Sequence, residues 1–395
     1  MKILHTSDWH LGQSFMGKSR EQEHQEFLAW LLDTVEKENI NLLIVAGDIF
    51  DTATPPNYAL ELYYNFLTKL SSSSCENIII TAGNHDSIAT LKAPKQLLKA
   101  LNIHVITSGD ENENEIVKIY NNERLHGIVC AVPYLRDYVV RGSLSSETMN
   151  DKESALTLGI KEHYNSVYQE ALQIVGDSNV PIIATGHLTT VGSKTSDSER
   201  EIYIGGTLDI DSNFFSKQFD YVALGHLHSN QKVGCEHVRY CGSPIPLSFS
   251  ESKSQKRVNI VEFKDKDMRV VELDIPLYRP LLVLRGDVTT IIEELERVED
   301  KSTWIEIHLK DDNPYHANQV IRDKATELEL IVLAVKIDKV EQALNAEDFD
   351  VISLEELNPI DVFERRIEKD DLEDEEFKKE LLETFEQVVN EVQSL

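Results

Sequence analysis

Residues 78–86 read Ile-Ile-Ile-Thr-Ala-Gly-Asn-His-Asp, an apolar run that stops at a glycine and continues into three polar side chains. A short apolar run bounded by glycine predicts a buried β-strand. In the sheets of α/β proteins, ligands collect in the crevice outside the carboxyl ends of the strands. We therefore expect Asn84, His85 and Asp86 to face such a crevice.

Four further segments repeat this layout. Residues 2–4, 42–45, 182–183 and 221–224 are strand-like apolar runs, and the polar clusters that follow them are Asp8-Trp9-His10, Gly47-Asp48, Gly186-His187 and Gly225-His226-Leu227-His228. A single Gly-Asp or Gly-His pair is more often a turn or a cap than a ligand. Five clusters in one chain, each at the end of a predicted strand, favour one shared site. The fold class is predicted to be α/β.

The residue types in these clusters suit two divalent metal ions that act on a phosphate ester. Two close ions can clamp the attacking and the leaving oxygen of an in-line displacement, and each lowers the pKa of bound water, so that hydroxide forms near neutral pH. Ions held this close need a bridging carboxylate, and Asp48, alone at its strand end, is the candidate. Asn84 adds a neutral carbonyl oxygen without further negative charge.

The spacing of the remaining polar residues supports the same interpretation. Asp8 and His10 alternate along one strand end, so both can bind one ion. His226 and His228 have the same spacing and can give one ligand to each ion. A mixture of carboxylate, amide and imidazole favours Mn²⁺, Fe²⁺ or Zn²⁺ over Mg²⁺ or Ca²⁺. His85 is not needed as a ligand, which makes it a candidate general acid for the leaving oxygen.

The series of motifs resembles that of the calcineurin-like metallophosphoesterases. Four runs narrow the resemblance to the SbcD-like nucleases, which are bacterial relatives of the eukaryotic and archaeal double-strand-break-repair nucleases. These runs are residues 7–12 (SDWHLG), 47–51 (GDIFD), 196–200 (SDSER) and 242–249 (GSPIPLSF). The resemblance covers residues 1–252 through specific motifs and the remainder of the chain through layout only.

The resemblance implies an αββα sandwich with a small α/β capping domain and a C-terminal helical tail. It also implies that His85 is catalytic and that the two ions share seven ligands: Asp8, His10, Asp48 and His228 for one ion, and Asp48, Asn84, His187 and His226 for the other. The archaeal and eukaryotic relatives carry a histidine at the position of Asp51. An exonuclease role is therefore not carried over to Asp51, which either supports the site or caps a helix.

The activity that the resemblance implies is that of a Mn²⁺-dependent nuclease in DNA repair and recombination. Such enzymes are 3′→5′ exonucleases on duplex ends and endonucleases on single strands and hairpins. Their partner is an ABC-type ATPase, SbcC, with a coiled coil. The sequence contains no P-loop, so ATP hydrolysis would require another chain.

Two alternatives to the nuclease remain at this point. One is a phosphoesterase of another substrate class. A Ser/Thr protein phosphatase is disfavoured, because the second motif, Gly47-Asp48, lacks the Asp-Arg-Gly extension of that class and the third motif ends in Asp86 rather than Glu. Against a small-substrate phosphodiesterase stand only the SbcD-like runs and the additional C-terminal residues. The other alternative is a non-catalytic DNA-repair scaffold, which the complete ligand set and His85 disfavour.

The charge of the chain is unusual for a protein that binds DNA. The formal net charge is −30, and residues 346–395 hold 18 Asp and Glu against 5 Lys and Arg. Bound divalent ions would supply positive charge where the phosphate must lie. Basic residues near the motifs are candidates for phosphate contacts, although a solvated surface position is the commoner role for each: Lys18, Arg20, Arg136, Arg141, Lys194 and Arg200. We expect weak affinity for DNA that a partner strengthens.

The pattern along the chain predicts three regions. Residues 1–275 form the body that carries the motifs, with amphipathic helices at 21–38, 57–70 and about 153–175, and residues 281–340 form a compact βαβαβ unit. The resemblance identifies the first as the nuclease domain and the second as a capping domain; a lobe that only stabilises the fold is the alternative for residues 281–340. In residues 354–395, an apolar stripe that includes Phe377, Leu381 and Phe385 must be buried somewhere, either on the chain itself or on a partner. The resemblance favours docking on the coiled coil of the ATPase. It also implies a homodimer through the nuclease domain, near residues 57–100.

Targeting signals are not evident. The sequence contains no run of eighteen apolar residues, and a cleaved signal peptide would remove Asp8 and His10. The four cysteines form no closely spaced framework, which favours reduced thiols. The sequence therefore predicts a cytoplasmic protein without a membrane span.

Overall fold

The computed structural model describes residues 1–110, 114–140, 149–193, 199, 210–311, 314–337 and 384–385. The chain divides into two units, Met1–Asp338 and Lys339–Leu395. Of the predicted partner-binding region 354–395, only residues 384–385 are among those described, and of the run 196–200, only Glu199 is.

The first sheet of the Met1–Asp338 unit has six strands. In spatial order they are Asp267–Asp274, Arg257–Lys264, Lys2–Thr6, Leu42–Ala46, Asn77–Thr81 and Ile103–Ile106. The last four are mutually parallel, whereas Arg257–Lys264 pairs antiparallel with Lys2–Thr6. The parallel pairing brings the carboxyl ends of three motif-bearing strands to one edge of the sheet.

The second sheet also has six strands. In spatial order they are Gln231–Lys232, Val238–Tyr240, Tyr221–Gly225, Ile182–His187, Arg124–Cys130 and Ile116–Asn121. The four central strands are parallel, and Gly225 pairs directly with His187. The remaining two predicted motifs therefore end at a common edge of this sheet.

The two sheets pack face to face through apolar side chains from both, such as Ile44 and Ile79 against Ile183 and Ala223. Helices cover the outer faces. Those on the first sheet are Glu21–Lys37, Asn57–Leu70, Ile88–Lys92 and Lys95–Lys99; those on the side of the second sheet are Asp137–Val140, Met149–Val175 and Ser212–Ser216. This is the predicted αββα sandwich. The third predicted helix begins at Met149, four residues before its expected start.

Helix Glu21–Lys37 illustrates why these segments are helical. Phe27, Leu31 and Val35 recur every four residues, so they lie on one face, where they pack in the same core as Leu43 of the first sheet. Acidic residues in the first turn and a lysine in the last turn complement the helix dipole.

A smaller three-stranded parallel sheet follows the sandwich in sequence. Its strands are Leu281–Gly286, Trp304–Leu309 and Ile331–Ile337, and its helices are Val288–Glu296 and Pro314–Glu327. One face packs on these helices, and the other contacts the sandwich where Trp304 and Leu281 meet Phe15 and Phe249. The βαβαβ order is the predicted one; the division of the chain into domains stays a prediction.

Two minor elements complete the described chain: the short hairpin Ser14–Phe15 with Lys18–Ser19, and the 3₁₀ turn Phe249–Glu251. None of the helices in the described residues combines the length and the hydropathy that a membrane span requires.

Candidate metal centre

The five predicted polar clusters meet where the carboxyl ends of the strands of both sheets come together. Asp8, His10 and His228 place ligand atoms within 4.8 Å of one another, and so do Asp48, His187 and His226. Asn84 joins the second group, because its Oδ1 lies 2.8 Å from His187 Nε2. All seven predicted ligands are thus brought together in two neighbouring groups.

Asp48 lies between the two groups. Its Oδ2 is 3.6 Å from His10 Nε2 in one group and 3.3 Å from His187 Nε2 in the other. Burial raises the pKa of Asp48, but His187 and His10 outweigh that effect and hold the pKa well below its usual range. Asp48 is thus a buried, ionised carboxylate between two groups of possible metal ligands, which is where a bridging ligand must lie.

The backbone of the site is strained in a consistent way. Asp8, His10, Asp48 and His226 have φ values of 52°, 47°, 50° and 97°, in the region that side chains other than glycine rarely adopt. Such conformations cost free energy and persist only where surrounding contacts impose them. Here Asp8 N donates to Gly47 O and His10 N to Asp48 O, both at 3.0 Å, so the two loops hold each other.

Two of the motif glycines are explained by close approach. A Cβ atom at Gly83 would lie 2.1 Å from Asp48 Oδ1, and a Cβ at Gly47 would lie 2.1 Å from His187 Nδ1. Any larger residue would therefore displace a candidate ligand. Gly47 also has a φ of 87°, which favours glycine independently.

The donor atoms fit divalent cations. His187 Nδ1 lies 3.1 Å from the Ala46 carbonyl oxygen, which can only accept, so this nitrogen carries the proton and Nε2 faces Asp48. His10 Nδ1 lies 3.1 Å from Asp51 Oδ1, while its Nε2 is buried and finds no hydrogen-bond partner among the described residues. A buried imidazole nitrogen that faces carboxylates and is oriented through its other nitrogen is typical of a metal ligand.

The comparisons with known proteins agree with this geometry. Residues 1–230 match the calcineurin-like phosphoesterases, and residues 277–371 match the family described as the type 5 capsule protein repressor C-terminal domain. A protein of Escherichia coli K12, named as the SbcD subunit of the nuclease SbcCD, is 40% identical over 386 residues, which cover 95% of this chain and 94% of that protein. This chain belongs to the SbcD family.

Two more distant relatives carry the same name. The protein of Rhodobacter capsulatus is 34% identical over 72% of this chain and 71% of its own length. The protein of Bacillus subtilis is 31% identical over 78% of this chain and 79% of its own length. The SbcD family has a metallophosphoesterase domain, and this fold implies divalent metal ions.

His85 stands beside the two donor groups. Its Nδ1 lies 2.6 Å from the Asp51 carbonyl oxygen and therefore donates, and its backbone N–H donates to Asp48 Oδ1 at 2.9 Å. His10, Asp51 and His85 also form a cluster of possible metal ligands. The Nδ1 atoms of both histidines, however, are directed at Asp51. Of the two roles left open for Asp51, the geometry favours support of the site.

Sequence reasoning missed the residues that orient His228. Glu251 Oε1 lies 3.6 Å from His228 Nδ1, and Glu251 Oε2 accepts a hydrogen bond from Lys256 Nζ at 2.5 Å. Burial raises the pKa of Glu251, but His228 and Lys256 outweigh it and hold the pKa below its usual range. Glu199 accepts from the backbone N–H of His228 at 2.7 Å. The signal for Glu251 was its position two residues after the SbcD-like run 242–249.

Replacing Glu251 with glutamine should raise the Kd for Mn²⁺ about ten- to hundredfold, because residues that orient a ligand contribute that much to metal affinity. Calorimetric titration of metal-free protein measures this. Glu262→Gln, on strand Arg257–Lys264, is the matched control and should bind as the wild type does. Equal affinities for Glu251→Gln and the wild type would remove the orienting role.

The prediction that Arg20 contacts a backbone phosphate of DNA is wrong. Arg20 is completely buried, where Nε donates to Glu23 and Nη1 to the Pro246 carbonyl oxygen, both at 2.8 Å, so it lies neither on DNA nor on a solvated surface. Arg136 donates to the Asp86 carbonyl oxygen beside the site, and Lys18 is exposed. The other three candidates, Arg141, Lys194 and Arg200, lie outside the described residues.

Proposed function

We propose that this chain is a metal-dependent nuclease that hydrolyses the phosphodiester bonds of DNA as the nuclease subunit of an SbcCD-type complex. The observation that carries the proposal is the position of Asp48 between two groups of donors, within a chain of the SbcD family. The relatives named above are each called a subunit of a nuclease.

The ligand assignment follows from the two donor groups. Asp8, His10, Asp48 and His228 would hold one ion, and Asp48, Asn84, His187 and His226 the other. When bound, two divalent ions stabilise the negative charge that develops on the phosphate oxygens and activate water near neutral pH. Mn²⁺ is the proposed metal, because the site mixes imidazole nitrogen with carboxylate and amide oxygen.

His85 is proposed to act on the leaving oxygen. Its Nδ1 proton is committed to the Asp51 carbonyl oxygen, so a proton on Nε2 is the one that it can transfer. The hydrogen bond from its backbone N–H to Asp48 fixes His85 relative to the bridging carboxylate. A proton donor held at a fixed position assists departure of the alkoxide.

The experiment that tests this function is Mn²⁺-dependent degradation of end-labelled duplex and hairpin DNA by the purified chain, beside a small phosphodiester. We expect 3′→5′ shortening of duplex ends and cuts in single strands and hairpins. Turnover of the small ester without cleavage of DNA, even after the ATPase is added, would instead assign the chain to small-substrate phosphodiesterases.

We also propose that residues 354–395 dock on the coiled coil of an SbcC-type ABC ATPase. The support is the apolar stripe in an otherwise acidic segment, together with the subunit names of the relatives. A homodimer through residues 1–275, near residues 57–100, and a capping role for residues 281–340 belong to the same proposal.

Deletion of residues 354–395 should release the ATPase but leave Mn²⁺-dependent cleavage of single strands at the wild-type rate. Co-elution from a size-exclusion column measures association. The full-length double variant Leu381→Asp/Phe385→Asp should behave like the deletion, because charge disrupts an apolar contact, whereas Lys378→Gln should still co-elute. Tight association of the deletion protein would end the docking assignment.

A further inference from the structure

A cavity with a volume of about 180 Å³ lies where the sandwich joins the smaller sheet. It is lined by the start of helix Glu21–Lys37, parts of residues 244–256 and the linker 275–279, and none of the candidate metal ligands lines it. Four cationic side chains line it against one carboxylate, Glu23: Arg20, Lys253, Lys256 and Arg279. The net charge of the chain is −30, so a cavity lined by four cationic side chains is unusual in this protein and suits an anionic ligand.

The charges around Arg20 are not balanced. Glu23 Oε1 accepts from Arg20 Nε at 2.8 Å and from Arg279 Nε at 2.9 Å, so two guanidinium groups share one carboxylate. Both groups also lie over the ring of Trp304, at 5.3 and 4.7 Å from its centre. Lys256 does not change this balance, because it is paired with Glu251.

Burial makes the imbalance costly. Arg20 has no exposed surface, and its Nη2 finds no hydrogen-bond partner among the described residues. Burial lowers the pKa of Arg20 more than Glu23 raises it, and the nearby Arg279 lowers it further against a smaller opposing effect of Glu251. A buried positive charge in excess of its partners is destabilising unless an anion compensates it.

Two more residues that line the cavity each have a buried side-chain oxygen without a hydrogen-bond partner in the described part of the chain, and these oxygens indicate the kind of anion. The two oxygens are Glu23 Oε2 and Tyr278 Oη. Guanidinium groups bind phosphate oxygens through paired N–H donors. A phosphate that retains one proton can in addition donate to Glu23 Oε2, which sulfate and chloride cannot do. We propose that this cavity binds a phosphate group, through Arg20 and Arg279 as cationic partners and Glu23 as acceptor of its proton.

The test is calorimetric titration of the full-length chain with inorganic phosphate in the presence of a chelator, so that bound metal does not contribute. We expect one saturable site, which Arg279→Gln weakens at least about tenfold, because it loses a charge-assisted hydrogen bond. Arg257→Gln is the matched control, because the Arg257 side chain is partly exposed and lies outside the cavity, and this variant should bind as the wild type does. Lys256 is left unchanged, because it holds Glu251.

Selectivity gives a second measurement that does not depend on Arg279. Sulfate should bind more weakly than phosphate to the wild type, and Glu23→Gln should remove the difference, because the neutral amide no longer repels a fully deprotonated oxyanion. Phosphate should also change the fluorescence of Trp304, and Trp304→Phe should lose that change.

Titration with deoxyadenosine monophosphate distinguishes the two sources of the phosphate group. Tighter binding than that of inorganic phosphate assigns the group to a nucleotide, and equal or weaker binding assigns it to free phosphate.

Absence of saturable phosphate binding to the metal-free wild type would overturn the proposal, and so would equal affinities for phosphate and sulfate. Because no step of the test requires metal or cleavage, failure here would leave the proposed nuclease function untouched.

Discussion

Replacing His85 with alanine should lower the rate of DNA cleavage by about two to four orders of magnitude and leave Mn²⁺ binding unchanged, because general acid catalysis contributes that much. His85 is held by the Asp51 carbonyl oxygen at 2.6 Å and by Asp48 Oδ1 at 2.9 Å, outside the two groups of proposed ligands. Loss of its side chain removes a proton donor without removing a ligand.

The measurement pairs Mn²⁺-dependent cleavage of hairpin DNA with calorimetric titration of the metal. His126→Ala is the matched control, because His126 is a partly exposed histidine on strand Arg124–Cys130, outside the metal-binding clusters. A parallel loss of metal binding and cleavage would make His85 a ligand, in the cluster that it forms with His10 and Asp51.

Replacing Asp48 with asparagine should lower the rate of cleavage by about three orders of magnitude or more, because two ions together stabilise the transition state by several kcal/mol. The amide has nearly the same size as the carboxylate but lacks the negative charge that both ions need. Asp48 Oδ2 lies within 3.6 Å of histidine nitrogens in both groups. The number of Mn²⁺ ions bound should therefore fall from two to at most one.

Metal analysis of the dialysed protein, combined with the cleavage assay, tests this. Asp33→Asn is the control: Asp33 is an exposed residue of helix Glu21–Lys37 whose carboxylate pairs only with Lys37 among the described ion pairs. Binding of two ions by Asp48→Asn would exclude Asp48 as the bridging ligand.

The arrangement of the candidate site could be predicted because it depends on local sequence. Each apolar run with a following glycine and polar residue specifies a strand end, and parallel pairing brings such ends together. Even the glycines carry this information, since a side chain at Gly47 or Gly83 would contact His187 or Asp48. The βαβαβ order of residues 281–337 could also be predicted from local sequence, because the spacing of apolar residues distinguishes its strands from its helices.

What the sequence could not show depends on contacts between distant residues. Arg20 is paired with Pro246 and lies beside Arg279, which are 226 and 259 positions away along the chain. From sequence it looked like a basic residue near a motif, and only the fold shows that it is buried. The role of Glu251 could not be predicted for the same reason: the SbcD-like run nearby marks the segment, but the partner His228 follows a strand 23 residues earlier in the chain.

The division of the proposed ligands between the sheets has a consequence for the integrity of the sandwich. Asp8, His10, Asp48 and Asn84 follow strands of the first sheet, whereas His187, His226 and His228 lie at the end of or follow strands of the second. Each ion would then cross-link the two layers, in the way that a disulfide joins two segments. Metal supply would thereby set the folding stability of residues 1–275 by mass action as well as the rate of catalysis.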